Sequence, residues 1–362
     1  MKQQNTDGFF LYLPCAGGYY SYYGSFFNPE TAEKIYVING GITFGTDIIL
    51  KSVLKQAEKY SYTAEKIYNH IYPNILEAIG IPELKIYIVN GTVPGKANGK
   101  YPIIVEKTVN ADDFFDIPRI LKNADKIKTL SNSIETEKKR CINYLTAVRS
   151  VYSDSFALLN RGLNKDKLQR YAQRFAAREF PVNEKKPKKA KMRFLSCITP
   201  SGIYTNYDSI KRADRIISID DSIGVASSAL INELTAQAES RGLDCILCKC
   251  QTNPEGKSEH LIIPEANIAF FTSNKYHKAP ENTERCIHTS RFIDRDIADA
   301  CRFRLNFNKK ACGELIAEAV NAEKAVKELQ DILYGFYLDA LNREKLDIYI
   351  NKLTEKIFLP EK

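Results

Sequence analysis

The pattern of apolar and polar positions runs through the same sequence of elements twice. Residues 34–38 (Lys-Ile-Tyr-Val-Ile) and 215–219 (Arg-Ile-Ile-Ser-Ile) are short apolar runs of strand length. Each enters a turn bearing Gly or Ser, and a helical pattern follows at 47–59 and 228–241. A second apolar strand comes after a Pro-Glu pair, at 84–89 and 266–271. Residues 131–160 and 311–341 repeat apolar positions at three and four residues, which predicts long helices closing each half. Residues 9–15 read as a first strand, and 243–250 as a buried one. Strand, turn, helix and strand in that order predict parallel βαβ units whose sheets carry helices on their faces. The last helices of each half are expected to form a hairpin appended to that core.

The grammar repeats because the residues do. Gly18-Tyr19-Tyr20-Ser21-Tyr22-Tyr23-Gly24-Ser25 recurs as Gly202-Ile203-Tyr204-Thr205-Asn206-Tyr207-Asp208-Ser209. Ala32 to Ile38 recurs as Ala213 to Ile219, and Ile81-Pro82-Glu83-Leu84-Lys85-Ile86 as Ile263-Pro264-Glu265-Ala266-Asn267-Ile268. Leu163-Asn164-Lys165 to Tyr171 recurs as Leu341-Asn342-Arg343 to Tyr349. Four blocks in one order, at a slowly drifting offset, mark an internal duplication. The expected organisation is a first domain at 8–182, a Lys-rich linker at 183–191 and a second domain at 192–360.

Length and composition change this little. A chain of 362 residues suits two domains, each able to bury a core. No apolar run approaches the ~20 residues of a membrane span. The stretch at 9–15 is short for a signal core and sets Pro14 before Cys15, so a cytoplasmic protein is expected. Nine scattered cysteines fit free thiols in a reducing compartment. Cys245, Cys248 and Cys250, with His260 beyond, have the start of a metal spacing, but no second pair follows. They are read as small apolar residues of a buried strand, and no metal site is expected. The net charge of +8 owes much to the linker, where Lys185, Lys186, Lys188, Lys189 and Lys191 cluster as a solvated run.

The turn after the first apolar strand is where chemistry is expected. In P-loops, G-x-x-x-x-G-K-[ST] places backbone N–H groups and a helix N-terminus around phosphate, with lysine on the terminal phosphates and the hydroxyl on Mg²⁺. The first half reads Gly40-Gly41-Ile42-Thr43-Phe44-Gly45-Thr46-Asp47. Gly40 and Gly45 keep the spacing, while Thr46 replaces the lysine and Asp47 the hydroxyl residue. The second half reads Asp221-Ser222-Ile223-Gly224-Val225-Ala226-Ser227-Ser228. Ser228 keeps the hydroxyl, Ser227 replaces the lysine, and Asp221 and Ala226 replace the glycines.

With these turns, the Gly18 to Ser25 block, Ile81-Pro82-Glu83 and the stretch Ile88-Val89-Asn90-Gly91-Thr92-Val93-Pro94, the chain resembles a family of bacterial tandem P-loop ATPase-like proteins found mostly in Firmicutes. The likeness covers nearly the whole chain. It implies two tandem P-loop NTPase-like α/β domains, each a mainly parallel sheet with flanking helices and a C-terminal helical section. It also implies ATP and Mg²⁺ as ligands, held by Gly40, Gly41, Gly45, Thr46 and Asp47 in one half and Gly224, Ser227 and Ser228 in the other. The family carries G-G-P-G-T-G-K-S and I-V-D-G-T-x-P, so this chain departs at the lysine in both halves and at Asn90, which replaces the acid. Asp47 is expected to take its own helix N-terminus with its carboxylate and repel phosphate. Asp220 and Asp221 put two charges at the second turn, and Asn90 and Thr272 leave the strand ends without an acid for Mg²⁺. Hydrolysis is therefore expected to be impaired or lost. If one half still binds a nucleotide, the glycine spacing favours the first.

His70, His260, His277 and His288 make no repeating metal pair, and Cys286-Ile287-His288 lacks a third catalytic group. Arg291 and Arg295 could clamp phosphate from one helix face. Tyr19, Tyr20, Tyr22, Tyr23, Phe26 and Phe27 suit either base stacking or packing. Three readings stay open: a nucleotide-binding NTPase homologue, an interaction protein that keeps the fold without a ligand, and a basic nucleic-acid-binding protein.

Overall fold

The computed structural model describes residues 8–40, 43–92, 100–182 and 186–359. In chain order the first repeat holds β1 (Gly8–Phe9), β2 (Tyr12–Cys15), β3 (Gly18–Ser21), β4 (Lys34–Asn39), α1 (Thr43–Lys59), β5 (Glu65–Tyr68), β6 (Leu76–Ile81), β7 (Ile86–Asn90), β8 (Glu106–Asn110), α2 (Ile117–Leu121), α3 (Ala124–Asn160) and α4 (Lys165–Glu179). The second holds β9 (Lys191–Arg193), β10 (Ser196–Thr199), β11 (Gly202–Thr205), α5 (Tyr207–Lys211), β12 (Arg215–Asp220), α6 (Val225–Ser240), β13 (Ile246–Cys250), β14 (Asn253–Ile263), β15 (Ile268–Ser273), β16 (Thr283–His288), α7 (Arg295–Ala300), α8 (Arg302–Leu338) and α9 (Arg343–Phe358).

The duplication seen in the sequence is repeated strand for strand. One sheet runs β1-β5-β6-β7-β4-β8 and the other β9-β13-β14-β15-β12-β16. β4 and β12 lie parallel to both neighbours, while β6 and β14 are antiparallel to theirs. The architecture is α/β, with two mainly parallel mixed sheets, flanking helices and a C-terminal helical section. The sequence reading found β13 in the run 243–250 and missed the other strands between helix and Pro-Glu, β5, β6 and β14. Those strands carry polar residues among the apolar ones, which blurs their period.

The repeated Pro-Glu block is a turn device. Lys85 and Asn267 hold φ of 54° and 53° at the β6–β7 and β14–β15 turns. Glu83 Oε1 accepts from Thr63 N at 3.0 Å, and Glu265 Oε2 accepts from Asp244 N at 2.9 Å, so each glutamate pins the chain entering the hairpin. Asn164 and Asn342 likewise cap α4 and α9, accepting from Lys167 N at 2.9 Å and Lys345 N at 3.0 Å.

The halves are joined about an approximate two-fold axis. Phe10 and its repeat counterpart Phe194 exchange backbone bonds of 2.9 Å in both directions. Four of the six clustered aromatics, Tyr22, Tyr23, Phe26 and Phe27, are buried in the shared core around that pair, and their rings are therefore not a surface for stacking bases. α3 and α8 pack antiparallel, Cys141 meeting Glu323 near the helix middles and Asp154, near the end of α3, meeting Arg304 and Asn308, near the start of α8.

The closing helices cross over. Leu168, Ala172 and Phe175 of α4 pack on the second sheet with Ile217, Leu230 and Phe270. Leu346, Ile350, Leu353 and Ile357 of α9 pack on the first sheet with Tyr36, Ile38 and Val53. Backbone bonds at the crossing are matched: Asn164 N donates to Phe292 O and Asn342 N to Phe114 O, each at 2.8 Å. Each repeat thus completes the other's core. α4 is not the second arm of a hairpin on its own half, because the apolar face it must bury is covered by the opposite sheet.

Candidate functional site

The two turns after β4 and β12 sit at the C-terminal ends of parallel strands, where open α/β sheets bind ligands. Aligning the sheets through Lys34 opposite Ile86 and Arg215 opposite Ile268 makes Gly40 the counterpart of Asp221 and Asp47 the counterpart of Ser228.

Asp47 does not cover its own helix end. Its Oδ1 accepts from Leu76 N of β6 at 2.8 Å, and its Oδ2 pairs with Lys51 at 2.7 Å. Ser228 is bonded in the same way, its Oγ accepting from Ser258 N at 3.0 Å, at the matching position of β14. Both residues therefore tie the first turns of α1 and α6 to the neighbouring strand, and Ser228 is buried away from a metal-binding position. Thr46 and Ser227, at the lysine position, are fully buried with hydroxyls that have no partner among the described residues. Gly45 lies inside α1, which already runs from Thr43. Gly40 has φ of 76°, and a Cβ there would fall 2.5 Å from Asp112 Oδ1. Gly41, residues 183–185 of the linker and the Val93-Pro94 end of the family stretch lie outside the described residues.

The second turn is closed by its own acid. Asp221 Oδ1 accepts from Gly224 N at 2.7 Å and Ile223 N at 3.1 Å, and Oδ2 accepts from Ser227 N at 2.8 Å. Three backbone donors at a helix N-terminus converge on one carboxylate, the arrangement that elsewhere holds phosphate. The role expected of Asp47 thus falls to Asp221, the residue replacing the first glycine. Gly224 caps α6 with φ of 91°, and a Cβ on it would meet Lys257 Cε at 2.4 Å.

Beside this turn opens a groove of about 770 Å³. Arg291, Arg295, Arg302 and Lys309 line it, with His288 and Asp220 at its edge. His288 Nδ1 stands 3.4 Å from Asp220 Oδ2. The Arg291 guanidinium lies 5.2 Å from the Tyr171 ring and 5.5 Å from that of Phe292, which fixes its plane. Four cations face two carboxylates, one already bound to backbone. The sequence pointed to Arg291 and Arg295. Arg302 and Lys309 were missed because they lie on α8, and only the fold brings them to the turn.

Behind the turn lies a buried polar cluster. Tyr152 of α3 donates its hydroxyl to Ile223 O and accepts from Lys257 Nζ at 3.2 Å. Lys257 Nζ is 3.2 Å from Glu259 Oε1, and His277 Nε2 is 3.7 Å from the same oxygen. Burial would raise the Glu259 carboxyl, but the Lys257 ammonium and His277 hold it well below the usual range. Cys245, Cys248 and Cys250 are buried, as expected of apolar-strand cysteines, and Cys248 stands opposite His260 in the β13–β14 ladder.

The first half keeps the acid and lacks its partners. Ala78 lies opposite Val89 as His260 lies opposite Phe271, so Glu77 is the counterpart of Glu259. Glu77 Oε1 accepts from Asn69 Nδ2 at 2.6 Å, and Ile75 stands where Lys257 would be. With no cation beside it among the described residues, burial pushes its carboxyl up to about 7. His70, buried 3.7 Å from Glu323 Oε2, is driven down to about 3 by burial.

The chain matches no protein-family model, no curated protein and no solved structure. Among the described residues, no helix is long and apolar enough to cross a membrane. The site must therefore be read from its own geometry.

Proposed function

We propose that this chain is a nucleotide-binding homologue of the tandem P-loop NTPases that has lost hydrolysis, and that its ligand lies in the groove of the second half. One observation carries the reading: the turn after β12 keeps an anion cradle of converging N–H groups, bordered by a cationic groove, at a strand end suited to ligands. The phosphates of an ATP-like ligand would meet Arg291, Arg295, Arg302 and Lys309. Asp221 fills the cradle itself, and no lysine stands at the P-loop position in either half, so the groups that would stabilise a transferring phosphoryl are missing. The choice of half differs from that suggested by the glycine spacing, because cations supplied by α8 weigh more than a turn's glycines.

The test is calorimetric titration and thermal unfolding with Mg-ATP, ADP and inorganic triphosphate. Binding at physiological nucleotide concentrations, weakened about tenfold or more by Arg302→Ala with Lys309→Ala, is the expected result, with no phosphate release above background. An unchanged melting curve at millimolar concentrations of all three ligands would sink the proposal. It would leave the second reading, an interaction protein that keeps the fold without a ligand, which the occupancy of the cradle by Asp221 favours.

A further inference from the structure

We propose that Glu259, His260 and His277 form a site for a zinc-like transition-metal ion in the second half. One donor atom from each of the three residues lies within 4.8 Å of the others, and all three residues are buried. The separation of His277 Nε2 from Glu259 Oε1, 3.7 Å, is too long for a hydrogen bond. It is close to the edge of a tetrahedron whose centre lies ~2.1 Å from each donor, roughly 3.4 Å. The remaining donor separations are no longer than 4.8 Å. Cys250 sits beside Glu259, and with His277 and Lys257 these residues line a cavity of about 50 Å³, enough for an ion and one water.

The surroundings prepare the imidazoles. His277 Nδ1 stands 3.3 Å from Thr205 Oγ1, which in turn is 3.0 Å from Ser196 Oγ. With Nδ1–H donated to that hydroxyl, Nε2 presents its lone pair to Glu259, the outer-shell arrangement that orients ligating histidines. His260 is wholly buried, and its Nε2 has no hydrogen-bond partner among the described residues. Its Nδ1 accepts a long 3.3 Å bond from Thr272 N, and ligation through Nε2 moves the ring proton to Nδ1 at the loss of that weak bond. Two imidazoles beside a carboxylate select Zn²⁺ or Co²⁺ over Mg²⁺. The Lys257 ammonium competes for Glu259 at 3.2 Å and is the built-in rival of the ion.

The duplication supplies a control inside the same chain. Glu77 keeps the acid, but Ala78 stands for His260. The first half therefore has the buried carboxylate without the donors.

Full-length protein freed of metal with a chelator and titrated with Co²⁺ tests the site. The expected result is one equivalent bound, with the intense visible bands of tetrahedral Co²⁺, bleached when Zn²⁺ is added. His277→Ala and His260→Ala should each lose those bands or weaken binding at least tenfold, and Glu77→Gln should leave them unchanged. Lys257→Met removes the rival and should tighten binding. Folded wild-type protein that develops no visible bands and retains no Zn²⁺ overturns the proposal, as does binding unaltered in both histidine variants. If a histidine variant fails to fold, the wild-type titration and the direction of the Lys257→Met effect still decide.

Discussion

Asp221→Ala removes the carboxylate that fills the second turn, and its effect on stability can be worked from the bonds. The side chain accepts three backbone N–H bonds, at 2.7, 2.8 and 3.1 Å, in a position only 8% exposed. Losing one capping bond typically costs about 0.5–2 kcal/mol. A buried donor left unpaired costs about 1–3 kcal/mol. Water entering from the groove will satisfy part of what is stranded, so a loss of about 3 kcal/mol is expected, at the low end of the ~3–9 kcal/mol of three fully orphaned groups. The crossed helices predict that the two halves unfold as one unit. Taking ~2.1 cal/mol/K per residue over 362 residues gives an unfolding entropy near 0.76 kcal/mol/K. The melting temperature should then fall by about 4 °C in a single transition, read by calorimetry. If the halves unfolded separately, the same loss would appear as about twice that shift in one of two transitions. The variant also empties the cradle, so inorganic phosphate should bind it more tightly than it binds the wild type. An Asp221→Ala protein that melts with the wild type and gains no affinity for phosphate would show that the carboxylate neither holds nor blocks the turn.

Three further outcomes follow from the packing and the buried acids. Glu77 titrates at about 7 in the fold against an ordinary 4.5, so the unfolded chain holds fewer protons than the native one between these values. Its contribution is present below pH 4.5 and lost as pH rises to 7, at about 1.4 kcal/mol per unit. Glu77→Gln should therefore gain on the wild type by about 2–3 kcal/mol between pH 5 and pH 8. The difference between the two proteins is the quantity to read, because His70 and His260, lowered to about 3 by burial, act in the opposite sense below pH 6.5. Ile350→Ala should cost about 2–5 kcal/mol, and hydrogen exchange should show the loosening in α1 and β4 of the first repeat, not in the sheet of its own repeat; loss confined to the second sheet would contradict the crossing. Asn164→Ala and Asn342→Ala should each cost about 1 kcal/mol and add in the double variant, since the caps are separate, as measured by urea midpoints.

The candidate site was legible only in part. Local sequence marked both turns, and it marked Arg291 and Arg295 near the second. It could not say which acid would fold into a cradle. Asp47 and Asp221 both stand near a helix start, yet one faces the strand beside it and the other its own turn, because Asp47 lies inside α1 while Asp221 lies in the loop before Gly224, the N-cap of α6. Lys257, Glu259 and His277 come from β14 and from beyond β15 and give no motif. They meet because a hairpin brings them to the same end of the sheet. The Cys248 and His260 signal lay in the right strands, but its cysteines are packing residues and only His260 belongs to the donor cluster.

Sequence alone determined the duplication, since matched blocks fix matched local structure: Glu83 and Glu265 pin equivalent turns, and Asn164 and Asn342 cap equivalent helices. It also determined the α/β class, because an apolar strand, a turn and an amphipathic helix each follow from local periodicity. Tertiary structure decided which sheet each closing helix covers. The apolar faces of α4 and α9 are alike, and either sheet could in principle accept either helix. The choice is made where Asn164 meets Phe292 and Asn342 meets Phe114, contacts between residues more than a hundred positions apart. Burial of apolar area is non-directional, so periodicity states that a face must be covered and leaves its partner to the geometry of the whole chain.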